Sequence, residues 1–145
     1  SAMSNTVRHG SCLCKNVKFE VTGDPSALIV CHCNTCQKMT GSAFMSNTFF
    51  KPEQYKFTAG EDLLTHYRDT TTDSGKAKIL SFCSKCGTPI RITNDGDLKY
   101  VMLAPSGAYD EAVPWGPTVE NYANKKRKWL NEITVREDGC IAEAI

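Results

Sequence analysis

The sequence predicts a mainly β fold of short strands whose ends are fastened by metal, with little helix. Two observations carry this. Apolar residues recur at every second position over short stretches broken by Gly, Pro, Asn and Asp, the period of half-buried strands. Seven of the eight cysteines also stand in three tight groups, Cys12/Cys14, Cys31/Cys33/Cys36 and Cys83/Cys86, leaving only Cys140 alone.

Taken in order, Val17, Phe19 and Val21 alternate with Lys18 and Glu20, which marks a strand with one buried face before Gly23-Asp24-Pro25 breaks it. Leu28-Ile29-Val30 is a short apolar strand that delivers the Cys31 group. Residues 41–50, rich in small and aromatic types, read as a strand that stops near Pro52, and Tyr55 and Phe57 alternate before the Gly60 turn. Leu64, His66 and Arg68 continue a β-like pattern, and the polar stretch 70–75, with three consecutive threonines, reads as an exposed loop. Residues 79–82 form a strand feeding Cys83-Ser84-Lys85-Cys86-Gly87, and 89–93 a strand leaving it. Asn94-Asp95-Gly96-Asp97 supplies the turn of a hairpin into a strand over 98–103. Residues 119–133 are expected to hold a short helix with Tyr122, Trp129 and Ile133 as its apolar contacts.

At 145 residues and 41% apolar the chain is expected to be one domain with a modest core. Ser1-Ala2-Met3 read as a tag-cleavage remnant, which puts the domain at residues 4–145. No apolar run approaches the roughly 18 residues of a membrane span and no signal peptide opens the chain, so a soluble, cytoplasmic protein without a membrane partner is expected. Formal charge is +1. Seven thiolates and two dications add seven negative and four positive charges and take that value to −2, which gives no nucleic-acid signal.

Cys-x-Cys and Cys-x-x-Cys pairs are too local to cross-link distant parts of a fold but suit two bites on one tetrahedral ion, so metal is favoured over disulfides. Seven clustered thiols exceed what one such ion accepts, and a division into four plus three fits two zinc ions. In Cys83-x-x-Cys86-Gly87 both sulfurs can face one ion, with Gly87 free to take positive φ. Cys12 and Cys14 can share an ion only if a local bend draws their sulfurs together. Paired with Cys83 and Cys86 they complete a four-thiolate site, leaving Cys31, Cys33 and Cys36 with a vacancy for water or substrate. Spacing equally admits Cys12 and Cys14 with Cys33 and Cys36.

Three motifs carry a resemblance: Gly10-Ser11-Cys12-Leu13-Cys14 leading into Val17-Lys18-Phe19, Cys31-His32-Cys33-Asn34-Thr35-Cys36-Gln37 followed by Gly41-Ser42-Ala43-Phe44, and Phe82-Cys83-Ser84-Lys85-Cys86-Gly87-Thr88-Pro89. In this order, from about Gly10 to Trp129, the chain resembles the glutathione-dependent formaldehyde-activating enzyme family, which shares its fold with the vertebrate centromere protein V domain. The resemblance implies a zinc-fastened β-tent fold of short antiparallel strands. It further implies a structural zinc on Cys12, Cys14, Cys83 and Cys86 and a working zinc on Cys31, Cys33 and Cys36, in a carbon-sulfur lyase acting on glutathione or related thiol adducts in detoxification. The chain departs from the family's pattern after the triad, with Gln37 then Lys38 where a basic residue is usual, and at Pro117-Thr118-Val119-Glu120, where a histidine-containing segment is common. A soft, three-thiolate zinc favours a sulfur as its fourth partner, so the triad cysteines are expected to act as ligands and not as nucleophiles. The alternative is a non-catalytic zinc module with a structural or interaction role, in which another side chain closes the second site.

Other residues receive plainer assignments. His32, between two ligands, is expected to project away from the metal into a supporting or surface position, and His66 to be packed or exposed. Cys140 reads as a bystander near the terminus. Lys125-Lys126-Arg127-Lys128 reads as a solvated face, and Trp115 and Tyr122 as core packing, with the lining of a pocket as the alternative.

Overall fold

In a computed structural model, residues 4–95, 101–137 and 139 are described. Among the described residues ten strands follow one another as β1 (Val7–Ser11), β2 (Lys18–Thr22), β3 (Ala27–Cys31), β4 (Met45–Phe50), β5 (Tyr55–Ala59), β6 (Leu64–Asp69), β7 (Lys78–Cys83), β8 (Pro89–Asn94), β9 (Met102–Pro105) and β10 (Val119–Asn121), with one α-helix, α1 (Asn34–Thr40), between β3 and β4. They form a three-stranded sheet, β1-β2-β5, and a seven-stranded sheet, β10-β3-β4-β9-β8-β7-β6. The mainly β expectation holds. Among the described residues the pairings are antiparallel except β10 beside β3, which is parallel.

Strand alternation sorts side chains to two faces of the large sheet. From β3, Leu28 and Val30 enter the main core with Phe19, Val21, Phe50 and Trp115, while Cys31 joins a second cluster with Met45, Leu80, Ile92 and Leu103. The first cluster joins the two sheets, and Val17, Phe19 and Val21 are all within 1% of full burial, as their alternation predicts. Phe19 stacks on Tyr55 at 4.9 Å between ring centroids and meets the edge of Tyr109 at 5.7 Å. Its ring lies so close to Gly10 that a Cβ there would stand 2.1 Å from Phe19 Cζ, which is why β1 carries glycine at that point.

The large sheet curls. Thr35 at the start of α1, directly after β3, donates from Oγ1 to Asp69 Oδ2 at 2.9 Å, although Asp69 lies on β6, five strands away in sheet order. The stretch 70–75 borders the gap and is exposed, as expected, at every residue but Thr72. Thr72 is buried and donates to the Lys76 carbonyl at 2.6 Å, and Asp73 accepts from the Asn34 amide at 3.1 Å and from Lys125 Nζ at 2.8 Å.

Two expectations change. Residues 119–133 hold β10 and a 3-10 turn at Ala123–Lys125 in place of a helix, because β10 is claimed by the exposed edge of β3. Residues 41–44 lie outside β4, since Gly41 ends α1 in the left-handed region at φ 62° and its amide donates to Gln37. β8 pairs with β9 through Ile92 and Leu103, and β9 starts at Met102 within the strand expected over 98–103, while the turn at Gly96 and Asp97 and residues 98–100 lie outside the described residues, as does Cys140.

Candidate metal centres and the cleft beside one of them

The structure brings the seven cysteines together as four and three. The sulfurs of Cys12, Cys14, Cys83 and Cys86 lie within 4.8 Å of one another, and so do those of Cys31, Cys33 and Cys36. The division of Cys12 and Cys14 with Cys33 and Cys36, which spacing admits, is excluded by this geometry.

In the first group, Lys15 takes φ 67°, and its amide donates to the Cys12 carbonyl at 3.0 Å. That bend brings the Cys12 and Cys14 sulfurs to 3.5 Å. On the opposite segment Gly87 takes φ 77° and donates to the Cys83 carbonyl at 2.8 Å, turning the chain so that Cys83 and Cys86 face the same point. Thr88 ties the two halves, its hydroxyl accepting from the Leu13 amide at 3.0 Å and meeting the Cys86 sulfur at 3.2 Å.

Amide donors point at the sulfurs as they would at thiolates: Val17 N to Cys12 at 3.3 Å and Lys85 N to Cys83 at 3.4 Å. Hydrogen bonds from Asn16 hold the Cys14 thiol below its ordinary pKa, and those from Thr88 do the same for Cys86, while burial pushes Cys12 up. Four sulfurs converging on one point make a donor set that fits a metal ion.

The second group is more local. Cys33 caps α1, its sulfur accepting from the Cys36 amide at 3.4 Å, and all three cysteines are buried. The hydrogen bond from Cys36, assisted by amide contacts and the Lys78 ammonium, drives Cys31 down, and the same contact together with burial drives Cys36 up. Among the described residues no fourth His, Cys, Asp or Glu joins this triad. Three sulfurs converging on one point fit a metal ion as the first group does.

Cys31 and Cys36 line a cleft of about 640 Å³. Its walls are one face of the curled sheet, with Asn47 and Phe49 from β4, Ile92 and Asn94 from β8, and Lys78 from β7; Tyr122 and its neighbours close one side. No acidic residue lies among its described walls.

His32 is fully buried, and its Nε2 donates to Glu120 Oε1 at 2.9 Å. It supports the loop from inside and is not on the surface. Gln37 Nε2 donates to the His32 carbonyl at 2.6 Å and to the Lys125 carbonyl at 3.2 Å. The two places where the chain departs from the expected pattern, Gln37 and the segment ending at Glu120, thus both fasten the triad loop to the C-terminal segment. Trp115 packs in the core against Phe50 and Tyr109, as expected, and Tyr122 packs against the second cluster while also lining the cleft. His66 is exposed and hydrogen-bonds Ser81 at 2.7 Å. The basic run is only partly a solvated face, since Lys125 pairs with Asp73 and Lys126 with Glu120. Sequence reasoning missed Asn47, Asn94 and Lys78, which reach the cleft only through the curl of the sheet.

Fold and sites together define a mainly β, cysteine-rich protein with two candidate metal centres, one of them opening on a cleft. The chain belongs to the glutathione-dependent formaldehyde-activating enzyme family, whose profile matches residues 7–125. No curated protein matches it. Among solved structures it is similar to a Rhodobacter sphaeroides protein from a structural genomics programme, with TM-score 0.57 and 17% identity over 73% of this chain and 91% of that one, a likeness of fold. Among the described residues no helix is long and apolar enough to cross a membrane.

Proposed function

We propose that the chain is a zinc-dependent enzyme of the carbon-sulfur lyase type, acting on adducts of glutathione or a related thiol. In this reading Cys12, Cys14, Cys83 and Cys86 hold a structural zinc, and Cys31, Cys33 and Cys36 hold the working one. The observation that supports it is the contrast between the two groups: four sulfurs make a closed set, whereas the second group has three, two of them on the wall of a cleft, and no further protein ligand among the described residues. Membership of a family named for glutathione and formaldehyde supplies the substrate class. Seven unpaired thiols suit a reducing compartment, in line with a cytoplasmic enzyme.

A zinc ion on three thiolates supplies a soft Lewis acid that prefers sulfur as its next partner. The chain's own residues do the rest. The cleft orients the thiol, with Phe49, Ile92 and Leu103 as its apolar floor, and Lys78 offsets negative charge brought in beside the triad. In the forming direction the substrate sulfur bonds to the aldehyde carbon while the proton that the thiol gives up ends on the former carbonyl oxygen. In reverse the carbon-sulfur bond breaks and thiol and aldehyde are restored.

The test is calorimetry on zinc-loaded protein with glutathione and S-methylglutathione, together with turnover of S-hydroxymethylglutathione. Glutathione is expected to bind much more tightly than its methyl thioether, which carries the same peptide but no thiol. Equal affinities without turnover would leave a non-catalytic zinc module.

A further inference from the structure

The basic run near the C-terminus divides in two. Lys125 is paired with Asp73 and Lys126 with Glu120, whereas Arg127, and Lys38 in the last turn of α1, have no ion-pair partner among the described residues. Two residues beyond Arg127 stands Trp129, 74% exposed, while the other tryptophan, Trp115, is buried in the core. An indole left in water is informative, because burying it is among the largest apolar gains a side chain offers, and a large exposed apolar surface rimmed by polar groups marks a binding site.

The ring is held where it is. The Arg127 carbonyl accepts from the Leu130 amide at 3.0 Å, a turn with Trp129 at its third position. The segment is tied on both sides, the Lys125 carbonyl accepting from Gln37 Nε2 at 3.2 Å and the Arg136 amide donating to the Pro117 carbonyl at 2.7 Å.

Trp129, Arg127 and Lys38 line one cleft of about 780 Å³, completed by Asn34 and Gln37 of α1 and the small run Gly41-Ser42-Ala43. A Cβ on Gly41 would meet no atom within 4 Å, so the space beside that run is open. Among the described residues this wall holds no acid, and it shares no residue with the cleft at Cys31 and Cys36.

We propose that this second cleft binds a nucleoside monophosphate, its base stacked on Trp129 and its phosphate between Arg127 and Lys38. Each part of the ligand answers one feature of the wall. The exposed indole offers a face on which any base stacks. A phosphomonoester carries about 1.5 to 2 negative charges near pH 7, which one guanidinium and one ammonium match. Gly41, Ser42 and Ala43 leave room for the ring, and Asn34, whose carboxamide has no partner among the described residues, is placed to meet a base edge. Neither cysteine group contributes a contact, so the site stands whether or not the triad is the working centre.

Titration of the zinc-loaded full chain with AMP tests this, by calorimetry and by tryptophan fluorescence, against adenosine, inorganic phosphate and O-phosphotyrosine. AMP is expected to bind about tenfold more tightly than adenosine or phosphate alone, since stacking and charge both contribute, and to quench the exposed indole. Trp129→Ala is expected to weaken AMP about tenfold and to leave phosphate unchanged, while Trp129→Phe, which keeps a ring, loses less. Arg127→Gln and Lys38→Gln are each expected to weaken AMP and phosphate several-fold and to leave adenosine unchanged. All three side chains are exposed, so the variants should melt as wild type does. Cys31→Ser should bind AMP as wild type does, which separates this site from the triad. No AMP binding at millimolar concentration, affinity unchanged in Trp129→Ala and Arg127→Gln, affinity lost in Cys31→Ser, or O-phosphotyrosine binding as tightly as AMP would overturn the proposal.

Discussion

His32 Nε2 and Glu120 Oε1 meet at 2.9 Å, joining the loop that carries the three-cysteine group to the strand β10 that flanks it. His32 is fully buried, so the carboxylate is its only route to satisfaction at that nitrogen. Glu120→Ala is expected to cost about 1–3 kcal/mol, because it strands a buried N–H, and Glu120→Gln distinctly less, because the amide oxygen still accepts. Urea denaturation of metal-loaded protein measures both. Equal losses would show that charge, and not hydrogen bonding, holds His32.

Two zinc ions per chain are expected, since one tetrahedral ion cannot engage seven convergent sulfurs. Elemental analysis of protein purified without chelator measures this. One ion per chain, with disulfides in the intact mass, would sink the assignment of both centres.

Loss of one ligand should differ in kind between the centres. Cys83→Ser opens a site that ties the β1–β2 turn to the β7–β8 turn, so its metal-binding free energy is also folding free energy. Cys31→Ser empties a site contained in residues 31–36, from the end of β3 to the first turn of α1. Thermal melts should find the first protein badly destabilised and the second largely folded.

Gly10→Ala is expected to destabilise by about 1–3 kcal/mol, through overpacking against the Phe19 ring. Phe19 cannot retreat, being stacked on Tyr55 and edged by Tyr109. A melting temperature equal to wild type would mean that β1 yields more readily than the packing indicates.

Acid should loosen the 70–75 segment. Hydrogen bonds from Thr71, with another from Thr35, hold the Asp69 carboxyl below the usual carboxylate range, and Lys125 with the Asn34 amide does the same for Asp73. A depressed pKa stabilises the fold fully above the unfolded value of about 4 and loses that contribution as pH falls through the folded one. Asp69→Asn should therefore be less stable than wild type at pH 7, with the gap closing below about pH 4. Denaturant titrations of both proteins at pH 7, 5 and 3.5 measure it, and a gap that stays constant would rule the linkage out.

The cysteine motifs and the Val17/Phe19/Val21 face were legible in the sequence because each is a local pattern: a spacing that fits one ion, or a period of two. The division into four and three was not legible from spacing, since it depends on which turns the sheets bring together. Helix α1 escaped notice because its cap is Cys33, where Ser, Thr, Asp or Asn is the usual signal. Gly41, in the left-handed conformation that ends the helix, was the available sign. The helix expected over 119–133 failed because the free edge of β3 takes Val119–Asn121 as a parallel strand, a partner no local pattern reveals. Asn47 and Asn94 belong to the same class, ordinary polar residues of two strands until the curl of the sheet makes them a wall.

The span of each cysteine group sets an order for metal capture during synthesis. Cys31, Cys33 and Cys36 emerge from the ribosome within six residues, ready to bite an ion before any sheet exists. Cys12 and Cys14 must wait for 68 further residues before Cys83 appears, and closing so long a loop is entropically costly until β1, β2, β7 and β8 have docked. In that interval the nascent chain displays five thiols, and the misligated set of Cys12 and Cys14 with Cys33 and Cys36 is open to it. The mature fold forbids that set; a growing chain does not.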